Sequence, residues 1–342
     1  MAKAALRSGQ RPSTQAKPSI CYTHRRLRLS DFRLRSLTLQ TIQKLTPLST
    51  IHHETCPLCA SAAIEKERSV KDHSITKEVF DLYRCNACDF LFTQDPPAPE
   101  EASRYYKGEE YISHSDSQEG LVNKLYHKAR DFMLGQKYQL VKRASKGKRM
   151  LDYGTGTGYF TDFMQRKGYA VEGLEIDPEA RAYGSQKFGI TVHPPEALFK
   201  TLKADSYDVI TLWHVLEHLY DPKNYLDRFH ELLGEAGKLI IAVPNHVSQD
   251  ARAYGADWAA YDVPRHLWHF SPATMRLMVG ESGFRVTETQ HMPLDPFYVS
   301  IMSQRYKSGG SLITGGLKGM TSFLNSAVDA ERGSSVIYVC EK

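Results

Sequence analysis

A glycine-rich loop between two short apolar segments constrains the fold of this chain more than any other feature. The segment DYGTGTG (Asp152–Gly158) follows the apolar run RML and precedes the helical pattern YFTDFM. Strand, glycine turn and helix in this order let a backbone approach a nucleoside closely, because glycine has no side chain to block contact and tolerates a positive φ. The spacing Gly-x-Gly-x-Gly differs from the Gly-x-Gly-x-x-Gly of dinucleotide-binding loops. The loop therefore predicts an α/β domain that binds a nucleoside-containing ligand other than a dinucleotide.

An acidic residue near the end of the next predicted strand extends this pattern. Glu175 closes the strand predicted near Ala170–Ile176, roughly 20 residues after the glycines, where a ribose-binding carboxylate is expected. With both features present, the chain resembles the class I S-adenosylmethionine-dependent methyltransferases. The resemblance continues through GLEIDP (Gly173–Pro178), SYDVITLWHVLEHL (Ser206–Leu219) and GKLIIAVPN (Gly237–Asn245). It covers about the last two hundred residues, in the order and spacing of the family.

The resemblance implies a set of residues around the methyl donor. Asp152 and the glycine loop would surround its methionine part, Glu175 would bind the ribose, and Trp213 and His214 would line the methyl side. The family usually places an acid after its third strand to contact adenine, and this chain offers Glu196 there, behind a double proline. The implied cofactor-binding residues are Asp152, Tyr153, Gly154, Thr155, Gly156, Gly158, Glu175, Ile176, Asp177, Glu196, Trp213 and His214.

Apolar runs of four to six residues alternate with helical patterns from residue 149 onward. This alternation predicts βαβ units and an α/β, Rossmann-like, seven-stranded and mostly parallel sheet with helices on both faces. The resemblance implies that the last strand enters antiparallel beside the fifth. The strands are predicted near Arg149–Tyr153, Ala170–Ile176, Thr191–His193, Tyr207–Leu212, Lys238–Val243, Phe284–Gln290 and Ser335–Cys340.

Four of the six cysteines form two Cys-x-x-Cys pairs, Cys56 with Cys59 and Cys85 with Cys88. Two such turns can place four thiolates at the corners of a tetrahedron, the geometry that zinc prefers. The gap is longer than a typical zinc-ribbon interval, and a hairpin predicted over residues 69–75 and 78–84 absorbs the extra length. We expect a structural Zn²⁺ in a small zinc-ribbon-like module before the methyltransferase domain. A redox disulfide pair and unrelated core cysteines are the alternatives.

The positive charge is concentrated at the beginning of the chain. Residues 1–53 hold ten of the Lys and Arg residues and a single acid, a net of +9 against +5 for the whole protein, so the remainder is mildly acidic. Such a body argues against a nucleic-acid partner. The segment itself is interpreted as a disordered arm, an arm for nucleic acid or a membrane surface, or a transit-peptide-like or over-extended start.

The chain is divided on these grounds into four regions: a basic tail (1–52), the four-cysteine module (53–96), a helical linker that packs on the catalytic domain (97–146) and the methyltransferase domain (147–342). The longest apolar runs are far too short to span a bilayer. We expect a soluble, cytoplasmic protein. The sequence does not indicate its oligomeric state.

Methyl transfer requires a base when the nucleophile is a hydroxyl or a carbon atom. Glu217 and His218 follow the fourth strand by about one turn, so the imidazole could accept a proton while the acid orients it. His266, in the segment YDVPRHLWHF, is the alternative base. The alternative is a purely structural role, in which these side chains pack in the protein interior or cap backbone groups.

Two insertions at the ligand-binding edge, His246–Phe270 and Pro296–Arg332, are predicted to form lids or substrate walls. Arg265 could bind a carboxylate or phosphate through two hydrogen bonds. His269 lies on the same insertion. Tyr111 and His114 are predicted to reach the site from the N-terminal side. These four residues are the candidate substrate ligands.

A four-cysteine module before a class I domain also resembles zinc-containing sugar methyltransferases and related enzymes of glycan synthesis. We therefore expect methyl transfer to an oxygen or carbon atom of a small molecule. A sugar or glycan precursor is one candidate. Two alternatives remain. One is a zinc-ribbon ribosomal RNA base methyltransferase, and the other is a non-catalytic protein that binds the cofactor and a partner.

Overall fold

The computed structural model describes residues 49–106, 121–307 and 310–342, with side chains of the first helix from His127 onward. Nearly all of the predicted basic tail lies outside these ranges, as do the candidate substrate ligands Tyr111 and His114. Within the described ranges, no helix is both long and apolar enough to cross a membrane.

The strands form two sheets. They are β1 (Ile64–Lys71), β2 (Val79–Cys85), β3 (Leu91–Thr93), β4 (Arg149–Tyr153), β5 (Ala170–Leu174), β6 (Thr191–His193), β7 (Tyr207–Trp213), β8 (Leu233–Pro244), β9 (Trp268–His269), β10 (Arg285–His291) and β11 (Ser335–Glu341).

The α-helices alternate with these strands after residue 121. They are α1 (Leu121–Ala144), α2 (Tyr159–Arg166), α3 (Pro178–Phe188), α4 (Ala197–Lys200), α5 (Pro222–Leu232), α6 (Gln249–Tyr254), α7 (Pro272–Gly280), α8 (Asp295–Tyr306) and α9 (Leu312–Val328). Short 3₁₀ helices lie at Ala102–Tyr105, Leu216–His218, Gly255–Asp257, Ala259–Tyr261 and Ala330–Arg332.

The larger sheet has seven strands in the order β10-β11-β8-β7-β4-β5-β6. Strands β4 to β8 run parallel, and β11 enters antiparallel between β8 and β10. This confirms the predicted Rossmann-like sheet, including the antiparallel last strand beside the fifth. The order reverses at β4, so the carboxyl ends of β4 and β7 border the crevice where ligands bind in open α/β sheets.

Helix starts follow local capping chemistry. The Asp177 carboxylate accepts from the Glu179 amide at the start of α3, and Ser271 with Thr274 forms a reciprocal capping box at α7. Proline occupies the first turn of both helices, where its missing N–H is not needed.

The smaller sheet joins the cysteine module to the catalytic domain. Its order is β1-β2-β3-β9, and β9 comes from the first insertion, with Phe92 opposite Trp268. Cys56, Phe90 and Trp268 belong to the same buried cluster as Leu151 of β4. The module therefore shares a hydrophobic core with the methyltransferase fold.

The predicted hairpin of the module is present, but its first strand is shifted. β1 ends at Lys71, before Asp72, whose carboxylate accepts from the amides of Ser74, Ile75 and Thr76 and forms a turn instead of a strand. The charged sequence IEKERSVK does not resemble a strand by alternation alone.

Candidate active site

The glycine loop after β4 leaves open space at its centre. All three glycines have positive φ values, 77° at Gly154, 55° at Gly156 and 86° at Gly158. A Cβ atom at Gly154 would lie 2.4 Å from Val215 Cγ2, whereas one at Gly156 would meet nothing within 4 Å. The backbone of Gly156 therefore faces unfilled space at the carboxyl end of β4.

Three residues predicted to belong to the cofactor loop are buried in the protein. The Asp152 carboxylate accepts from Thr211 Oγ1 at 2.6 Å and from Thr161 Oγ1 at 3.3 Å, and its burial raises the pKa of the carboxyl. The Thr155 hydroxyl bonds to Thr161. Tyr153 points to the opposite face of the sheet, where Phe229 packs against its ring at 5.5 Å.

Glu175 folds back over the loop. Its Oε2 accepts from the Gly156 amide at 2.7 Å and its Oε1 from the Asp177 amide at 2.9 Å. Ile176 beside it is 78% exposed, and the Asp177 side chain caps α3. Glu196 is exposed just before α4. The acid predicted to bind ribose thus already lies against the glycine loop, with Ile176 open to solvent.

Trp213 and a lysine form the wall at the end of β7. The Trp213 indole Nε1 is buried and has no hydrogen-bond partner among the described residues. Lys137 of α1 places its Nζ 4.3 Å from the centre of the Trp213 ring. Burial lowers the pKa of Lys137 to about 8, partly opposed by Asp152 and Asp295. Beside Lys137, a cavity of about 230 Å³ lies between α1 and β10.

His214 lies between two carboxylates. Its Nε2 is 3.2 Å from Asp295 Oδ2, and its Nδ1 is 3.4 Å from Glu217 Oε1. Burial by itself would lower the pKa of His214, but the two carboxylates raise it to about 10. His214 is therefore an imidazolium at neutral pH and is unsuited to accept a proton. Its φ of 57° is in the left-handed region, which turns the chain sharply after β7.

The three predicted catalytic residues lie together. One ligand-type atom from each of Glu217, His218 and His266 falls within 4.8 Å of the others, and the two imidazole rings are 4.6 Å apart between centroids. His218 Nδ1 is 3.0 Å from the Arg265 carbonyl oxygen, and His266 Nδ1 is 2.9 Å from that of Ala260. Burial and the neighbouring His266 lower the pKa of His218 to about 4. His218 is thus neutral at pH 7.

The two insertion residues predicted to bind substrate are occupied by contacts within the protein. The Arg265 guanidinium donates to both oxygens of Asp262, to Asp72 and to the carbonyl of Tyr105. His269 Nε2 lies 3.1 Å from Thr93 Oγ1, whose hydroxyl donates to the His266 carbonyl. Both side chains fasten the insertion to the smaller sheet, and a substrate role for either stays a prediction.

The four cysteines form a compact cluster about two similar turns. The Sγ atoms of Cys56 and Cys88 are 3.7 Å apart, and those of Cys59 and Cys85 are 3.6 Å apart. Sulfurs at about 2.3 Å from one tetrahedral zinc are about 3.8 Å from each other. In each turn an amide two residues on donates to the first sulfur, at 3.4 Å. The donor set and spacing suit one tetrahedral ion.

Sequence reasoning missed Lys137 and Asp295. A signal for Lys137 existed, because it interrupts the apolar positions Met133 and Leu140 of α1 at helical spacing. Asp295 gave no signal, since it reaches His214 only through the folding of the second insertion.

Comparisons with known proteins find methyltransferases that are similar in sequence to this chain. Residues 125–289 match a family model described as "Methyltransferase domain". The ubiquinone biosynthesis O-methyltransferase of Aeromonas salmonicida (strain A449) is 26% identical over 180 residues, which is 48% of this chain and 71% of that protein. The namesake from Xanthomonas euvesicatoria pv. vesicatoria (strain 85-10) is 27% identical over 164 residues, 44% of this chain and 68% of that protein.

Among solved structures, the geranyl diphosphate C-methyltransferase of Streptomyces coelicolor A3(2) has a TM-score of 0.48 at 16% identity, covering 72% of this chain and 99% of that one.

Proposed function

We infer that this chain is an S-adenosylmethionine-dependent methyltransferase, and we propose that it methylates a hydroxyl oxygen of a small molecule. The observation that carries the proposal is the cluster of Glu217, His218 and His266 at the edge of the sheet where the glycine loop opens. A hydroxyl nucleophile must lose a proton during transfer, and these groups stand beside the end of β7. The curated relatives, named as O-methyltransferases, support oxygen over carbon.

The residues of the crevice fit the methyl donor. Open space above Gly156 admits an adenosine against the backbone, and Glu175 can exchange its amide contacts for a ribose diol. Lys137 is placed to attract a carboxylate, and the unpartnered Trp213 N–H offers a donor. When bound, S-adenosylmethionine supplies a methyl group activated by its sulfonium.

The chain positions the acceptor and handles its proton. The Nδ1 atoms of His218 and His266 face carbonyl oxygens, which accept only, and the Tyr106 hydroxyl also lies 3.3 Å from His218 Nδ1. This arrangement favours a proton on Nδ1 of each ring, and the neutral His218 ring then keeps a lone pair on Nε2. This lone pair and the Glu217 carboxylate can accept the hydrogen of an acceptor hydroxyl. His214, held protonated by Asp295 and Glu217, attracts the Glu217 carboxylate electrostatically at 3.4 Å.

The acceptor is proposed to be compact, such as a sugar or a hydroxylated ring. The proposed base cluster is enclosed, because Glu217 and His266 are buried and the insertion His246–Phe270 supplies His266. Such enclosure suits a small acceptor better than a nucleic-acid base with its flanking nucleotides.

The experiment measures S-adenosylhomocysteine formation by the purified chain with nucleotide sugars, hydroxylated aromatic compounds and total ribosomal RNA. We expect turnover with one class of small hydroxyl compound, and its loss in Gly156→Asp. Gly316→Asp is the matched control, because a side chain there also meets nothing within 4 Å but lies on helix α9 with ordinary φ. Methyl transfer to RNA alone, or to carbon in every product, would contradict the proposal.

We further propose that Cys56, Cys59, Cys85 and Cys88 bind one structural Zn²⁺. All four sulfurs lie within 4.8 Å of one another, and a four-thiolate site leaves no open position for catalysis. Metal analysis should give one tightly held zinc per chain, lost in Cys88→Ser and retained in Cys340→Ala, which alters a cysteine of β11. Cys88→Ser should also lower the midpoint of thermal unfolding, because the cluster shares its core with β4.

A further inference from the structure

The cluster of Glu217, His218 and His266 has the composition of a metal centre as well as that of a general base. It contributes two imidazoles and one carboxylate from two different parts of the chain, the 3₁₀ turn after β7 and the first insertion. We propose that these three side chains bind a divalent first-row transition-metal ion, distinct from the ion assigned to the four cysteines. Two histidines and one carboxylate with open positions are a recurrent donor set for such ions.

The orientation of both imidazoles prepares them as ligands. Each Nδ1 lies within 3.0 Å of a backbone carbonyl oxygen, that of Arg265 for His218 and that of Ala260 for His266. A carbonyl can only accept, so each Nδ1 carries a proton, and in the neutral tautomer that binds a metal the lone pair is on Nε2. A hydrogen bond from the distal ring nitrogen is the usual outer contact of a metal-bound histidine, because it fixes both tautomer and ring orientation.

The Glu217 side chain is fully buried, at 0% exposure, and neither carboxylate oxygen has a hydrogen-bond partner among the described residues. Its nearest charge is His214 Nδ1 at 3.4 Å from Oε1, which leaves Oε2 unpaired. A buried carboxylate oxygen without a donor is costly. A cation bound to that oxygen would supply the missing partner.

The spacing requires at most a small closure. Two ligands at about 2.1 Å from one ion lie about 3.0 to 4.2 Å from each other. The ligand-type atoms of the three groups all lie within 4.8 Å of one another, so any closure needed to reach those separations is at most about 1 to 2 Å. Rotation of the Glu217 carboxylate, which no hydrogen bond holds, can provide part of this movement.

The surrounding charges permit a cation. His214 is positive but is itself paired with Asp295, at 3.2 Å. Arg265 is neutralised by Asp262 and Asp72, at 2.6 and 3.0 Å. With Glu217 included, these carboxylates outnumber the positive side chains, so the local charge does not repel a divalent ion.

The donor set selects the kind of ion. Imidazole suits Fe²⁺, Ni²⁺, Cu²⁺ and Zn²⁺, whereas Mg²⁺ and Ca²⁺ prefer sites built from oxygen; Mn²⁺ is bound mainly through carboxylate and water and serves below as a paramagnetic probe. Three protein ligands leave positions open for an exogenous oxygen, unlike the closed four-thiolate cluster.

The proposed role in catalysis rests on the proposed function, with one change: groups that bind the ion no longer accept the proton of the acceptor themselves. The ion would take the acceptor hydroxyl as a ligand and lower its pKa, so that the proton passes to water. The oxygen would then form a bond to the methyl carbon while the carbon–sulfur bond breaks, with its electron pair remaining on sulfur. Each turnover thus releases one proton and one molecule of the thioether product.

The first test measures metal binding without donor or acceptor. Zinc-loaded full-length protein is titrated with Mn²⁺, and free Mn²⁺ is counted by electron paramagnetic resonance. We expect one Mn²⁺ per chain, with affinity reduced at least about 100-fold in His218→Ala and in His266→Ala. His230→Gln is the matched control, because that imidazole packs on Phe284 outside the cluster. Manganese does not displace zinc from thiolates.

A second measurement guards against misfolding of the variants. Co²⁺ added to the zinc-loaded protein should give weak visible bands of nitrogen and oxygen ligation in the wild type, without intense thiolate charge-transfer bands. Glu217→Gln keeps the side-chain volume and should weaken these bands. No bound Mn²⁺ or Co²⁺ at millimolar concentration, or binding equal in wild type and the folded cluster variants, would overturn the proposal.

The outcomes for metal and function are separable. Methyl transfer that is unchanged when the second metal is removed, with zinc retained, rejects the ion's catalytic role and leaves the proposed function standing. Stoichiometric Mn²⁺ binding with no turnover on any small hydroxyl compound supports the metal site and contradicts the proposed function.

Discussion

Two regions on either side of the Leu216–His218 turn differ in whether certain buried polar side chains have hydrogen-bond partners. Where the first insertion meets the smaller sheet, the Arg265 guanidinium donates four hydrogen bonds, and the Asp250 carboxylate accepts from Trp258, Ser322 and Ser334. In the crevice, Trp213 Nε1 and both Glu217 oxygens have no such partner in the described part of the chain.

The difference separates structural from ligand-binding roles. An unpaired buried polar group costs free energy unless something else satisfies it. The paired Arg265 and Asp250 therefore hold the insertion in place, whereas the unpaired groups of Trp213 and Glu217 can be completed by a ligand. His246 Nε2 and Tyr254 Oη of the insertion also lack a hydrogen-bond partner among the described residues. Residue type alone does not distinguish the two, since arginine, histidine, tryptophan and acids occur in both regions.

Arg265→Ala gives the largest expected loss of stability. It would leave Asp72 and Asp262 without their buried partner, at a cost of about 3 to 5 kcal/mol in the free energy of unfolding. Urea denaturation measures this loss. Arg276→Ala, which breaks the partly exposed pair with Glu331, is the matched control and should cost less than about 1 kcal/mol. Equal losses of unfolding free energy in the two variants would contradict the larger contribution of Arg265 to stability.

Glu175→Gln should act on donor binding rather than on folding. Loss of a charged hydrogen-bond acceptor costs about 1.5 to 3 kcal/mol, or about 10- to 150-fold in affinity for S-adenosylhomocysteine by calorimetry. Glu172→Gln is the control on the same strand, because that acid bonds to His193 and Tyr207. Similar donor affinities in the two variants would count against Glu175 as the ribose ligand.

Lys137→Met should change how stability depends on pH. The pKa of Lys137 is about 8 in the folded chain against 10.5 for an ordinary lysine, so between these values the unfolded state binds more protons. As the pH rises through that interval, the free energy of unfolding of the wild type should therefore increase relative to that of the variant. Urea midpoints at pH 7.5 and 10 for both proteins test this sign, and parallel shifts would show that the ammonium is not desolvated.

Trp213→Phe should have the smallest effect on stability, less than about 1 kcal/mol, because the lost N–H has no partner. Trp258→Phe provides the contrast. It removes a 2.9 Å hydrogen bond to buried Asp250 and should cost about 1 to 3 kcal/mol. Thermal unfolding of both variants measures the difference, and a larger loss at Trp213 would reverse the comparison.

Much of the fold could be predicted because local patterns express it. The predicted strands Arg149–Tyr153 and Thr191–His193 have the bounds found in the structure. The exceptions lie in the cysteine module, where Asp72 makes a turn in place of a strand, and at β9, whose two residues are a strand only because β3 lies beside them. Edge pairing of this kind depends on a partner distant in sequence.

The sequence predicted many of the residues of the candidate site, but it did not predict how they are arranged in space. The sequence by itself determined the glycine loop, the acid that follows it and the two cysteine turns, because φ values, strand ends and turn chemistry are properties of neighbouring residues. Only the tertiary structure decided that Arg265 is saturated, that Asp295 and Glu217 hold His214 protonated, and that His266 joins Glu217 and His218. Those contacts join residues up to 193 positions apart, and hydrogen bonding and charge at such distances are set by how the chain packs.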